Sequence, residues 1–325
     1  MKIAVVGCGA VGSFYGAKLA RAGQQVYFLL RSDFEVVRRR GLLVRSRQGD
    51  FHIQPKCARV PEEIGPSDLV LIGLKTTANA QFPQLLPPLV GPATAVMTLQ
   101  NGLGNEAQLA RCFPAEQVMG GLCFVCLNRL APGLIDHLAH GQVVVGEFQR
   151  WPEPRTHDMA SAFRHAGIPC TVTDNLARAH WEKLVWNIPF NGLGVASAAG
   201  YDSVRYGTVA AGVSPVRAAP LTTDQLLADA KWAELVRELM LEVIAAARAL
   251  GFDLEANLAD QQIQRTRTMG AYKASTLVDF ERGQPLELES LFLEPWRQAR
   301  HARVATPRLA ALCDVLKSLD AARRR

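Results

Sequence analysis

The chain has 325 residues, 49% hydrophobic and 20% charged; this composition excludes a disordered chain, and the length exceeds one typical core, so two domains are expected. A formal net charge of +6 suits an anionic ligand. Zinc-finger spacing, a basic heptad helix and an aromatic-rich RNA-binding strand are all missing, so nucleic acid is not an expected partner.

From the N-terminus, residues 3–6, 26–30, 69–74 and 95–99 are short apolar runs that read as buried parallel strands. Helical patterns over 10–22, 34–40, 77–86 and 105–111 alternate with them, the signature of a doubly wound α/β sheet. Glycines follow the first apolar run at once, so it reads as strand and turn, not as a signal peptide. Residues 42–47 and 50–54 form a predicted hairpin around Gly49. A second antiparallel pair is predicted for 134–138 and 143–147, turning at His140-Gly141. A helix over 154–165 and a strand over 170–173 complete this half.

Beyond Thr173 the pattern turns helical. Asp174 or Asn175 can cap a helix running through Trp181 and Trp186. Trp232, Val236, Leu239, Val243, Ala247 and Leu250 share one helical face that Gly251 ends. A last helix is expected over 307–319. The expectation is therefore an N-terminal Rossmann-type domain, residues 1–173, and an all-α domain, residues 174–325. Residues 198–220 read as an irregular loop or two short helices, and Arg323-Arg324-Arg325 as a frayed tail.

Cys8, Cys57, Cys112, Cys123, Cys126, Cys170 and Cys313 are scattered and odd in number, which points to a reducing, cytoplasmic setting. Cys123 and Cys126 lie in an apolar strand-like run without a second pair and read as buried thiols. His137 and His140 lack an acidic partner, so no metal site is expected. No apolar run reaches the length of a membrane span.

Gly7-Cys8-Gly9-Ala10-Val11-Gly12 stands between the first strand and the first helix. Gly7 permits the tight turn, Gly9 a close approach of pyrophosphate, and Gly12 close helix–strand packing, with the helix N-terminus facing the phosphates. After the second strand an NAD site carries an acid for the ribose hydroxyls. Here Leu30 is followed by Arg31 and Ser32, which suit a 2′-phosphate, so NADP (NADPH) is the expected cofactor. Asp33 is expected to cap the next helix. Lys75 and Asn101 follow buried strands and so face the ligand crevice. Lys183, Asn187 and Asn191 recur every four residues on one helical face, although Pro189 threatens to kink it.

With Leu74-Lys75, Gln100-Asn101-Gly102-Leu103-Gly104-Asn105, Lys183/Asn187/Asn191 and the run from Ser275 to Glu289, nearly the whole chain resembles the ketopantoate reductase (2-dehydropantoate 2-reductase) family. The resemblance implies a Rossmann fold with a helical second domain, NADPH-dependent reduction of a 2-oxo acid, and a place in pantothenate biosynthesis. It implies Lys183 as general acid and Glu287 as a second catalytic group. Asn101, Asn187, Asn191 and Ser275 would bind substrate, and Lys75 and Asn101 would lie by the cofactor. The partner is a small 2-oxo acid; a homodimer is one option for the assembly. The chain departs from the family pattern at Gly192 (Pro is usual), in 195–201 (an expected asparagine is missing), in the insertion 198–220, and at Leu288-Glu289 (Ile-Asp is common). Two alternatives follow: the same chemistry on another 2-oxo acid, or a nucleotide-binding sensor without turnover.

Overall fold

The computed structural model describes residues 1–208 and 216–323. Packing divides the chain into two compact units, Met1–Ala179 and His180–Arg325.

The first unit is built on a ten-stranded sheet among the described residues. Strand β1 (Lys2–Val6) lies between β2 (Gln25–Leu29) and β6 (Ser67–Ile72), all parallel, with β5 (Lys56–Ala58) beyond β2 and β7 (Val90–Thr98) beyond β6. Alternate side chains of a strand face opposite ways. Ile3 and Val5 therefore join Leu69 and Leu71 in one core, with Phe14, Tyr15 and Phe28. Ala4 and Val6 join Val70 and Ile72 in the other, with Phe82 and Leu86. Burial on both faces explains why these strands are unbroken apolar runs.

Helix α1 (Ala10–Arg21) returns the chain to β2, and α2 (Phe34–Arg40) follows. The hairpin β3 (Leu42–Ser46) and β4 (Phe51–Ile53) forms as expected, with Gly49 at φ +112°. The helix predicted over 77–86 is broken: a 3₁₀ turn, Thr76–Gln81, leads into one turn of helix, α3 (Phe82–Leu85). Pro83 fits the first turn of α3, where its missing N–H is not needed. Helix α4 (Asn105–Leu109) precedes the longest strands, β8 (Val118–Ala131) and β9 (Leu134–Glu147).

These two strands correct the predicted turn at His140-Gly141. They pair antiparallel over their whole length, and Gly133 (φ +73°) lies in the link between them. His140 (φ +64°) and Gly141 (φ +130°) sit inside β9, where the register slips between Phe124 and Val125. Positive φ serves a β-bulge as well as a turn, and short-range pattern does not distinguish the two. The bulge gives His137 a partner: its Nε2 lies 2.9 Å from the His140 carbonyl and its Nδ1 2.8 Å from Ser46 Oγ. Burial, outweighing the hydrogen bond with the His140 backbone, pushes the His137 pKa below its ordinary value. Cys123 and Cys126 are buried in β8 as free thiols. Helix α5 (Pro154–His165) and β10 (Cys170–Val172), parallel to β9, finish the sheet.

Helix α6 (Leu176–Ala196) opens with Asn175 Oδ1 accepting from the Arg178 amide at 2.9 Å and runs unbroken through Pro189. The second unit continues with α7 (Tyr201–Tyr206), α8 (Thr223–Ala228), α9 (Ala230–Ala249), α10 (Leu258–Arg267), α11 (Ser275–Glu281), α12 (Glu294–His301) and α13 (Pro307–Arg323). Asp229 caps α9 through its side chain, and Gly251 (φ +89°) follows its end. Trp232, Val236, Leu239, Val243 and Ala247 are buried on the predicted face. Glu242 of α9 accepts the Arg308 and Leu309 amides at 2.9 Å each, capping α13 from a neighbouring helix. Part of the segment 198–220 forms α7, and 209–215 lie outside the described residues, as do Arg324 and Arg325. Arg323 ends α13 with its guanidinium 4.1 Å from the Phe280 ring centroid.

Candidate active site

Parallel neighbours β2, β1, β6 and β7 end on one edge of the sheet, and the strand order reverses beside β1. Ligands bind this class of sheet at such an edge. The loop Gly7 to Gly12 follows β1, Arg31 follows β2, Lys75 follows β6 and Asn101 follows β7. Gly7 has φ +92°, and a Cβ there would stand 2.2 Å from the Leu74 amide nitrogen; at Gly12 it would stand 2.3 Å from the Gly7 carbonyl oxygen. At Gly9 nothing lies within 4 Å. Two glycines are thus fixed by close backbone contact, and the third opens onto space. No side chain caps the α1 amides beginning at Ala10, and Val11 continues that first turn. An open cradle beside uncapped amides fits a pyrophosphate. Cys8 Sγ points inward, 3.3 Å from the Leu29 carbonyl; burial, then the nearby Cys57 and Asp33, push its pKa up and keep it a neutral thiol.

Arg31 is exposed. Asp33 occupies the N-cap position of α2 but does not cap it with its side chain. Its carboxylate instead accepts Nε of Arg129 at 3.0 Å and Nη2 at 2.5 and 2.6 Å, and Ser32 Oγ donates to it at 3.0 Å. A paired, buried carboxylate gains more from a bidentate guanidinium than from one amide. That partner is 96 residues away, beyond any local reading.

Lys75 is exposed, in extended conformation at the start of the 3₁₀ turn. Asn101 is held from behind by a chain of buried amides that sequence reasoning missed. Thr98 Oγ1 donates to Gln100 Oε1 (2.9 Å), Gln100 Nε2 to Asn79 Oδ1 (2.7 Å), Asn79 Nδ2 to Asn105 Oδ1 (3.0 Å), and Asn105 Nδ2 to the Asn101 carbonyl (3.1 Å). The relay ties the end of β7, the 3₁₀ turn and α4 to the turn bearing Asn101. Gln100 and Asn105 were visible in the motif, but Asn79 carried no pattern.

In the second unit, Lys183, Asn187 and Asn191 share one face of α6. Lys183 is half-buried. Asn187 is 6% exposed, and no hydrogen bond to another described residue ties its amide. Asn191 is committed: its Oδ1 accepts Ser275 Oγ at 3.2 Å, the Thr276 amide at 3.1 Å and Thr276 Oγ1 at 3.0 Å, joining α6 to the start of α11. The structure therefore brings Asn191 and Ser275 together. Glu287 is buried just ahead of a π-helical turn, Glu289–Leu293. Gly192 has a packing reason: a Cβ there would meet Leu312 Cδ2 at 2.6 Å and Phe292 Cε1 at 2.9 Å. Among the described residues no cluster of three metal-ligating side chains occurs, and no helix is long and apolar enough to cross a membrane.

Residues 3–150 match the family described as Ketopantoate reductase PanE/ApbA, and residues 207–320 match Ketopantoate reductase PanE/ApbA C terminal. The chain is 36% identical to a 2-dehydropantoate 2-reductase of Nostoc sp., covering 99% of this chain and 96% of the relative. It is similar to the crystal structure of 2-dehydropantoate 2-reductase from Geobacter metallireducens, with TM-score 0.88 and 43% identity, covering 98% of this chain and 99% of that one. A D-mandelate dehydrogenase structure with NADH and anilino(oxo)acetate has TM-score 0.84 over 100% of both chains at 18% identity, a likeness of fold alone.

Proposed function

The chain belongs to the ketopantoate reductase family and is an oxidoreductase of it; from that premise we propose that it reduces 2-dehydropantoate to pantoate with NADPH. The observation that carries the reading is the α6 face, where half-buried Lys183 and buried Asn187 lie one turn apart and Asn191, a turn further on, meets Ser275.

In this proposal residues 1–173 hold the cofactor and 174–325 act on the substrate. The cradle from Gly7 to Gly12 takes the pyrophosphate, and Arg31 takes the 2′-phosphate. Lys75 and Asn101 line the same strand edge. When bound, NADPH supplies the hydride for the 2-oxo carbon. Lys183 Nζ gives its proton to the 2-oxo oxygen as negative charge develops there, so hydride and proton together yield the hydroxy acid. Asn187 hydrogen-bonds the substrate. Ser275 meets its carboxylate while Asn191 fixes the start of α11. Glu287 is the second catalytic group. Free cysteines suit a reducing, cytoplasmic setting.

The test is loss of reduced-nicotinamide absorbance when the protein meets NADPH and ketopantoate, alongside a panel of other 2-oxo acids. Lys183→Ala should lower kcat by about 10²–10⁴-fold with NADPH affinity little changed; an unaltered kcat removes Lys183 from the mechanism. Turnover of another acid in preference to ketopantoate would reassign the substrate. Tight NADPH binding with no turnover on the panel would make the chain a sensor.

A further inference from the structure

The end of β2 carries a contradiction. Arg31 favours a 2′-phosphate, yet Asp33 stands two residues on, and an acid in this region is the feature that selects unphosphorylated ribose. Its carboxylate is close enough to the glycine loop for its charge to be felt at the Cys8 thiol.

The contradiction is resolved from a distance. Arg129, near the end of β8, reaches Asp33 with Nε and Nη2 and engages both carboxylate oxygens, at 3.0, 2.5 and 2.6 Å. Ser32 Oγ donates to the same group at 3.0 Å. The β8 register slips between Arg129 and Ala131, where a bulge re-aims side chains. The Asp33 side chain is 10% exposed and that of Arg129 is 37% exposed, so the acid is covered while part of the guanidinium stays accessible. The other acid of this segment, Glu35, is likewise paired, with Arg59, Arg38 and Arg39. Arg31 is exposed and has no ion pair among the described residues.

We propose that the Arg129–Asp33 ion pair masks the acid beside Arg31, making Arg129 a positioning residue that sets the preference for a 2′-phosphorylated dinucleotide. The pair cancels its own charge, so Arg31 acts on the phosphate with its positive charge intact. With Arg129 removed, the carboxylate is unpaired, opposes Arg31, and is available to ribose hydroxyls. This inference rests on the NADPH reading above and adds the residue that permits it.

The experiment measures equilibrium binding of NADP⁺ and NAD⁺ to the full chain by titration calorimetry and compares the ratio of the two Kd values across a mutant cycle. Arg129→Met should shift the ratio toward NAD⁺ by about tenfold, the scale of one partly screened unit charge. Asp33→Asn in the same chain should restore the wild-type ratio to within about threefold, because the charge to be masked is gone. Should Arg129→Met fail to fold, Arg129→Gln reads the same ratio while keeping a hydrogen-bond donor. Equal weakening of both cofactors, an unchanged ratio, or no recovery in the double variant each overturns the mask. A wild-type ratio near one refutes the NADPH reading instead. The mask is read only from the change between variants and is judged separately.

Discussion

Replacing Asn191 by alanine tests whether this side chain holds the helical unit together before it holds any substrate. From α6 its Oδ1 accepts the Thr276 amide, the Thr276 hydroxyl and the Ser275 hydroxyl, so it acts as an N-cap for α11 supplied by another helix. Loss of a cap costs about 1 kcal/mol. Thr276 is 2% exposed, and a buried hydroxyl left without its acceptor costs a further ~1–3 kcal/mol. Ser275 is exposed and finds water, adding little. Asn191→Ala should therefore destabilise by roughly 2–4 kcal/mol, read as a lowered guanidinium midpoint by far-ultraviolet circular dichroism. Thr276→Val removes the hydroxyl but keeps the amide, and the double variant should cost about 1 kcal/mol less than the sum of the singles. An Asn191→Ala protein within ~0.5 kcal/mol of wild type, or strict additivity in the cycle, would refute the capping role.

Three further outcomes are expected. Gly9→Ala meets nothing within 4 Å, so it should change stability by less than ~1 kcal/mol and weaken NADP⁺ binding by about tenfold or more; calorimetry reads both. Gln100→Leu strands Asn79 Oδ1 and removes the acceptor of the Thr98 hydroxyl, which keeps its bond from the backbone amide of residue 100; it should cost ~1–3 kcal/mol, visible as a fall in thermal midpoint. Because burial lowers the His137 pKa in the folded chain, the unfolded chain binds its proton first as pH falls. Stability should drop as pH falls through the ordinary histidine range toward the lowered value, then level off. His137→Phe should remove that component from a midpoint-against-pH profile, and an identical profile would contradict the reading.

What was legible in the sequence was local. The glycine loop needs only a strand, a turn and a helix in succession, and Gly7, Gly9 and Gly12 have the backbone surroundings their spacing implied. The apolar runs of β1, β6 and β7 were readable because burial on both faces leaves no polar alternation to confuse them. The failures came from distance. His140 and Gly141 have turn-like conformations, and only pairing with β8 reveals a bulge. Asp33 had a capping position and a better partner far along the chain. Pro189 lies inside α6 without ending it, as tertiary packing can override the loss of one hydrogen bond. Among the candidate site residues, the shared face of Lys183 and Asn187 was visible by periodicity. The double duty of Asn191 and the support of Asn101 by Asn79 depend on contacts between elements.

Strand β9 has a consequence for how the chain is made. Along one edge it pairs with β8; along the other its first half takes β3 and its second half β10. The β3 pairing joins Ser46 to His137, 91 residues apart. During synthesis the β3–β4 hairpin must therefore wait, its apolar face toward Val44 and Phe51 uncovered, until β9 has left the ribosome. The glycine loop can assemble early from local pieces, but the sheet behind it is closed late, by a single strand. Slow emergence or a weakened β9 would expose this half to misassembly more than any change in the loop itself.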